Sequence, residues 1–363
     1  MTKRIRILFT TTNFNTAGSG KVIYDLISGL DRSKFEIEIA CRHNKGAFFK
    51  EVKNLGLPIH IFDTRTAYKP YFNLLYRIQT VVYFYKRNKY DIVHSWHWSS
   101  DWTEVLAARL AGVPYIYTKK AMSWGNVHWK LKSYLANFII TINDEMRDYF
   151  PYKQSQTLIP LGIDTDFYSP HGIEDLRQDT NGFTIITVAN LVPVKGIEVL
   201  LQAVKRLDDG FRLWVVGDAS NDYGQAMQQL SKDLGLEHRV AFLGRQLDVR
   251  PYIAQADVYV IPTLDEGRKE GMPMALVEAM SMGIPVLGSN ISGINYVLRD
   301  FKDLLFEAGN VTALRDHLVN IKQKDLVNRK ELGLQLRTYC LKHYKKTTFI
   351  EAHEALYNNV LKK

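Results

Sequence analysis

Cysteine is almost missing: Cys41 and Cys340 are the only two in 363 residues. That count excludes a disulfide framework and a cysteine-built zinc site, and it suits a reducing, cytoplasmic setting. Long apolar runs are missing too. No stretch approaches the roughly 18 apolar residues that cross a bilayer. The apolar run near the start, Ile7, Leu8 and Phe9, is far shorter than a signal peptide needs and reads as a first strand. No nucleic-acid-binding signature occurs, so no nucleic-acid partner is expected although the net charge is +9. The basic residues are scattered, which leaves nucleotides and an anionic membrane surface as charge-matched partners. Two phosphate-binding fingerprints also fail. A phosphate loop ending at Gly18-Ser19-Gly20-Lys21 would need glycine at Asn15 and Ser or Thr at Val22. A dinucleotide fingerprint would need its third glycine at Ile23.

What is present is a chain 46% hydrophobic, long enough for two cores. Short apolar runs alternate with helical stretches, the pattern of parallel sheets wrapped by helices. The pattern occurs twice. Strands are expected over 5–10, 35–40, 59–62, 92–95, 115–118, 138–142 and 157–160, then over 184–189, 212–216, 240–243, 258–261, 286–288 and 304–306. The polar, glycine-flanked stretch 171–182 between the two sets is the linker candidate. The expected fold is α/β: two Rossmann-like, doubly wound domains facing across a cleft, with ligands at the carboxyl ends of the strands.

The segment Glu270-Gly271-Met272-Pro273-Met274-Ala275-Leu276-Val277-Glu278-Ala279-Met280 is the most informative. Pro273 suits a helix start, and Gly283 with Pro285 supplies the stop. Ala275, Leu276, Ala279 and Met280 fall at helical spacing toward a core, which leaves Glu270 before the first turn and Glu278 in the second. The helix N-terminus favours an anion such as a diphosphate. Carboxylates placed there would be repelled by phosphate and would instead accept hydrogen bonds from sugar hydroxyls. Taken alone, the pair is better explained as two solvated carboxylates that favour the helix dipole.

The spacing Glu270-x7-Glu278, with Asn190-Leu191-Val192-Pro193-Val194-Lys195-Gly196 at the first turn of the second half, resembles glycosyltransferase family 4. Asp91-Ile92-Val93-His94, Ile159-Pro160-Leu161-Gly162-Ile163-Asp164, Val215-Val216-Gly217-Asp218, Phe242-Leu243-Gly244 and Gly283-Ile284-Pro285-Val286 extend the resemblance almost end to end. It implies a retaining enzyme of GT-B architecture. Residues 1–168 would form an acceptor-binding domain, onto which a C-terminal helix, 345–363, packs back, and residues 169–344 a nucleotide-sugar-binding domain. The substrate would be a nucleotide-diphosphate sugar, the acceptor a saccharide or a lipid-linked saccharide, and the product a cell-surface polysaccharide, lipopolysaccharide or glycolipid. No cofactor and no metal are required.

The resemblance also implies roles. Lys195 would neutralise the diphosphate, and Glu270 with the backbone of Gly271, Met272 and Pro273 would hold the donor sugar, a hexose. Glu278 would take the ribose hydroxyls. Gly217 and the Gly244-Arg245 turn would line the base pocket through backbone, and Gly18 would let the N-terminal loop approach the diphosphate. Many members carry arginine where Asn190 stands, so Lys195 acts without that partner unless Arg268 or Lys269 compensates. Thr118-Lys119-Lys120 stands where some members have a histidine, so Lys119 and Lys120 are candidates for an anionic acceptor or phosphate. His97, among tryptophans, is either an acceptor-pocket residue or a strand-end packing residue. Asp164-Thr165-Asp166 has the letters of a metal-binding Asp-x-Asp but sits in a turn. A catalytically idle nucleotide-sugar-binding regulatory or scaffold subunit is the alternative to an enzyme. Finally, aromatic and basic residues mix over 68–89, which suits either peripheral attachment to the inner face of the cell membrane or a domain helix with a solvated basic face.

Overall fold

The structure, a computed structural model, describes residues 3–15, 17–122, 125–173, 182–267 and 270–362. Residues 174–181 of the expected linker, and Arg268 and Lys269, lie outside the described residues. The chain divides into two compact units, Met1–Gly162 with Lys346–Lys363, and Ile163–Lys345.

The first unit alternates β1 (Ile5–Thr11), α1 (Ala17–Gly29), β2 (Phe35–Cys41), α2 (Ala47–Lys53), β3 (Ile59–Ile61), α3 (Leu74–Asn88), β4 (Ile92–Ser95), α4 (Thr103–Ala111), β5 (Tyr115–Lys119), α5 (Val127–Leu135), β6 (Phe138–Thr141), α6 (Glu145–Asp148) and β7 (Gln156–Leu158). Its strands form one sheet in the order β3-β2-β1-β4-β5-β6-β7, and the pairings are parallel. A parallel sheet covered on both faces needs nearly continuous apolar strands. Ile7, Leu8 and Phe9 in β1 and Tyr115, Ile116 and Tyr117 in β5 are accordingly all buried.

The second unit runs β8 (Phe183–Val188), α7 (Ile197–Lys205), β9 (Phe211–Val216), α8 (Asp222–Asp233), β10 (Val240–Gly244), α9 (Arg250–Gln255), β11 (Val258–Ile261), α10 (Met274–Ser281), β12 (Val286–Ser289), α11 (Ser292–Val297), β13 (Leu305–Phe306), α12 (Val311–Gln323) and α13 (Leu326–His343). Its parallel sheet has the order β10-β9-β8-β11-β12-β13. All the expected strands form, with ends shifted by a residue or two. Both sheets are doubly wound, because the strand order reverses beside the first strand of each unit.

The division falls after Gly162, ahead of the 168/169 boundary expected from sequence. Hydrogen bonds explain where the intervening residues belong. The Ile163 amide donates to the Tyr344 carbonyl (2.9 Å), and the Tyr168 carbonyl accepts from the Ser281 hydroxyl at 2.6 Å. The last helix, α14 (Lys346–Val360), belongs to the first unit and packs on α1. Its Tyr357 hydroxyl lies 2.8 Å from His94 Nδ1 on β4, and His94 Nε2 lies 2.7 Å from the Thr118 hydroxyl on β5.

Candidate active site

In the second sheet the order reverses between β8 and β11, and ligands of open α/β sheets bind beyond the carboxyl ends of such a strand pair. The chain leaving β8 reaches Lys195 at the end of a 3₁₀ turn, Pro193–Lys195. Gly196 follows in the left-handed region (φ 63°), and a Cβ there would stand 2.2 Å from the Pro262 carbonyl oxygen. Only glycine lets the two strand-end loops approach this closely. The Leu264 amide then donates to the Val194 carbonyl (2.8 Å), locking the loops together.

The loop after β11 carries Glu270. Gly271, Met272 and Pro273 are buried, and Pro273 caps α10 in an extended conformation. Gly293, at the start of α11, packs against this loop so closely that a Cβ would lie 2.5 Å from the carbonyl oxygens of both Glu270 and Gly271. The outcome is an ion pair across the reversal point: the Lys195 ammonium donates to Glu270 Oε1. Both side chains keep about a fifth of their surface in solvent, 22% and 19%. An ammonium has three N–H donors, so holding Glu270 still permits a phosphate contact.

Glu278 lies half-buried in the second turn of α10. It is linked to Glu270 through the buried Tyr259 of β11, whose phenol is pushed up by burial and further by the charges of Glu278 and Glu270. Tyr259 donates to the Val188 carbonyl of β8 at 3.3 Å. The Gly217 amide donates to the Gly244 carbonyl (3.0 Å), joining the ends of β9 and β10, with exposed Arg245 next in sequence. The Asp218 carboxylate is held below its usual range by the Ser220 hydroxyl and amide, with Arg245 adding its charge. Asn190 is exposed just past β8. Asn190, Lys195, Gly217, Arg245, Glu270 to Pro273 and Glu278 thus follow the carboxyl ends of neighbouring strands in one unit.

The candidates in the first unit fare differently. Gly18 is the second residue of α1, so it opens a helix rather than sitting in a loop. For His97 the structure sets the acceptor-pocket alternative aside in favour of packing: it is 1% exposed, with Nδ1 3.0 Å from the Thr12 hydroxyl and Nε2 3.5 Å from Glu104. Burial lowers its pKa to about 3, which keeps the ring neutral. Glu104 is buried beside it and accepts from Thr64 (2.5 Å), Ser95 (2.6 Å) and Tyr115 (2.7 Å). Lys119 is likewise corrected. It is fully buried, its ammonium 3.9 Å from the centre of the Trp129 ring, a cation–π contact that substitutes for water. Lys120 is half-buried over Trp96 and is the one of the three with solvent-facing surface.

Asp164 Oδ1 accepts from the amides of Asp166 (3.3 Å) and Phe167 (3.0 Å), which accounts for the Asp-x-Asp letters as a turn. Among the described residues no cluster of three or more His, Cys, Asp or Glu side chains could hold a metal ion. Sequence reasoning missed Tyr259 and Gly293. Tyr259 is hidden in an apolar strand run, whereas Gly293 stood in view in the small polar turn Ser289-Asn290-Ile291-Ser292-Gly293 after a strand.

Comparison with known proteins places the chain among glycosyltransferases. The profile for Glycosyltransferase Family 4 matches residues 16–167, and that for Glycosyl transferases group 1 matches residues 182–324. The UDP-Gal:alpha-D-GlcNAc-diphosphoundecaprenol alpha-1,3-galactosyltransferase of Escherichia coli is 27% identical over 274 residues, 67% of this chain and 69% of that one. A glycosyltransferase from Rickettsia africae ESF-5 superposes with a TM-score of 0.86 at 16% identity, over 99% of this chain and 100% of that one. HepE from Anabaena, solved with UDP, superposes with a TM-score of 0.84 at 20% identity, over 98% and 100%. The two parallel-sheet units are those of the GT-B fold, and the chain belongs to glycosyltransferase family 4.

Proposed function

We propose that this protein transfers a hexose from a nucleotide-diphosphate sugar to an acceptor hydroxyl with retention at the anomeric carbon, without a metal. The acceptor is a saccharide carried on a lipid, and the product feeds a cell-surface polysaccharide, lipopolysaccharide or glycolipid at the cytoplasmic face of the membrane. The observation that carries this reading is the Lys195–Glu270 ion pair at the strand-order reversal, with Glu278 beside it on α10. The names of relatives support it: the Escherichia coli relative is named for galactose transfer to a diphosphoundecaprenol-linked sugar, and HepE was solved with UDP-glucose.

In this reading Glu278 accepts hydrogen bonds from the ribose hydroxyls, while Glu270 and the Gly271 to Pro273 backbone orient the hexose. Lys195 and the start of α10 meet the charge that builds on the departing diphosphate, a transition-state contact that raises turnover. The acceptor hydroxyl attacks the anomeric carbon on the face the diphosphate leaves, and its proton passes to a leaving phosphate oxygen, so no separate base is needed. A panel of nucleotide-sugars assayed for product, with and without EDTA, tests this. Product that persists in EDTA and is lost in Lys195→Ala is expected. Absence of product from every donor, alongside tight nucleotide-sugar binding, would point to an idle binding subunit instead.

A further inference from the structure

The surface of the first unit carries a feature that donor chemistry does not use. From Thr64 to Tyr90 the chain contains no aspartate or glutamate, yet it carries Arg65, Lys69, Arg77, Lys86, Arg87 and Lys89. Within this stretch α3 is two-faced. Leu74, Ile78, Val82 and Tyr85 are buried against the core. The opposite side exposes Tyr76 (82%), Tyr83 (65%) and Leu75 (62%), with Phe72 (89%) and Tyr71 (56%) in the Tyr71–Asn73 turn just ahead of the helix. Leu75, Tyr76 and Tyr83 follow the helical repeat and share one outward stripe, which the turn extends at its start. The stripe is graded along its length: apolar and aromatic at the start of α3, basic at its end through Lys86, Arg87 and Lys89.

The aromatic end is held in place. Arg77 donates to the Ala67 carbonyl (2.9 Å) and the Pro70 carbonyl (2.8 Å), tying the loop to the helix. Tyr68 lies between Tyr71 and His128, with ring centres 6.2 and 4.8 Å away. A contiguous exposed apolar patch on a rigid element marks an interaction site, and little ordering entropy is lost when it binds.

We propose that the Tyr71–Asn73 turn and the outward face of α3 seat the protein on an anionic phospholipid surface. Phe72, Leu75 and Tyr76 enter at the level of the headgroups, while Lys86, Arg87 and Lys89 meet lipid phosphates. The chemistry favours lipid over other occupants. Aromatic rings and aliphatic side chains suit the boundary between headgroup and acyl chain, and an acid-free, basic flank complements an anionic leaflet. The most exposed apolar group, Phe72, Leu75 and Tyr76, stands ten residues or more ahead of Lys86, Arg87 and Lys89, whereas single-stranded nucleic acid calls for stacking rings set along a basic track. The proposal rests on the lipid-carried acceptor above only in explaining why docking is useful.

The test is flotation of the full chain with phosphatidylcholine vesicles, with and without phosphatidylglycerol. Wild type floats with the anionic vesicles and is released by high salt. Phe72→Ser with Tyr76→Ser, and separately Lys86→Gln with Arg87→Gln, lower the bound fraction by about tenfold. Leu334→Ser, an equally exposed apolar site in the second unit (63%), leaves it unchanged. A melting curve and nucleotide binding matching wild type show that the face variants are folded. Wild type that fails to float, an equal loss in Leu334→Ser, or tight binding of single-stranded RNA without flotation overturns the proposal. Transfer to a soluble acceptor separates the two readings: face variants retain it if docking alone is lost, and its absence in wild type that floats counts against the proposed function and not against docking.

Discussion

The Lys195 ammonium is held by the Glu270 carboxylate across 75 residues of sequence, each side chain carried to the other by the loop that ends its own central strand. The cation proposed to meet the diphosphate and the carboxylate proposed to orient the sugar therefore form one unit. Lys195→Ala should lower kcat by about a hundredfold or more with donor saturating, as for loss of a charge-stabilising donor. Glu270→Gln should lower it too, and the double variant should be little worse than the weaker single one. Steady-state kinetics on the four proteins measures this, and fully additive losses would show that the pair does not act together.

Glu278 should matter for binding more than for turnover. A charged hydrogen bond contributes about 1.5–3 kcal/mol, so Glu278→Ala should weaken the donor nucleotide-sugar about ten- to a hundredfold by calorimetry. A donor lacking both ribose hydroxyls should bind wild type and Glu278→Ala almost equally. A wild-type preference that survives in the variant would move the ribose contact to another residue.

Gly196→Ala should damage the fold and the site together. Its φ of 63° costs an L-residue about 1–2 kcal/mol, and the new methyl would meet the Pro262 carbonyl at 2.2 Å. Gly235→Ala separates the two effects, because at Gly235, with φ 69°, an added Cβ would meet only the Lys205 ammonium beyond its chain neighbours among the described residues, at 3.9 Å. Denaturant unfolding should show a clearly larger loss for Gly196→Ala, with loss of turnover found only there. Equal losses would mean that the close approach of the loops contributes nothing.

The first unit should lose stability in mild acid through His353 on α14. Burial lowers its pKa to about 4 from an ordinary 6.5, only partly opposed by the hydrogen bond to the Phe349 carbonyl. Nε2 is buried without a hydrogen-bond partner among the described residues, and the ring stacks on His94, 5.7 Å away, which burial also holds neutral. Between pH 4 and 6.5 the unfolded chain binds the proton that folded His353 excludes, so stability falls as pH drops through that window. His353→Phe keeps a ring and removes the titration. Its unfolding free energy should depend less steeply on pH across this range than that of wild type, and unchanged steepness would exclude His353 as a source.

Much of the fold was legible because strands and helices are local events. The run Ile7-Leu8-Phe9 cannot be exposed, and Pro273, Gly283 and Pro285 bound a helix by backbone rules that need no tertiary context. The glutamate spacing likewise placed Glu278 on α10 and Glu270 ahead of it. Burial was less legible. Lys119 reads as a surface lysine in Thr118-Lys119-Lys120, but it ends β5 in a sheet covered on both faces and lies over Trp129, while Lys120, one residue past the strand, is half-buried over Trp96. Among its tryptophans His97 reads equally as a pocket or a packing residue, and only the structure shows Thr12, Thr64 and Glu104 meeting it in the interior.

By itself, then, the sequence determined the succession of strands and helices, the repeated α/β pattern and the chemical types gathered near strand ends, since each depends on propensities and periods a few residues long. Only the tertiary structure decided which side chains meet. Lys195 reaches Glu270, Tyr259 senses both glutamates, and residues 163–168 join the second unit through Tyr344 and Ser281. The strand order places β8 beside β11, and that adjacency, set by packing two faces of one sheet, is not written in any local stretch of chain.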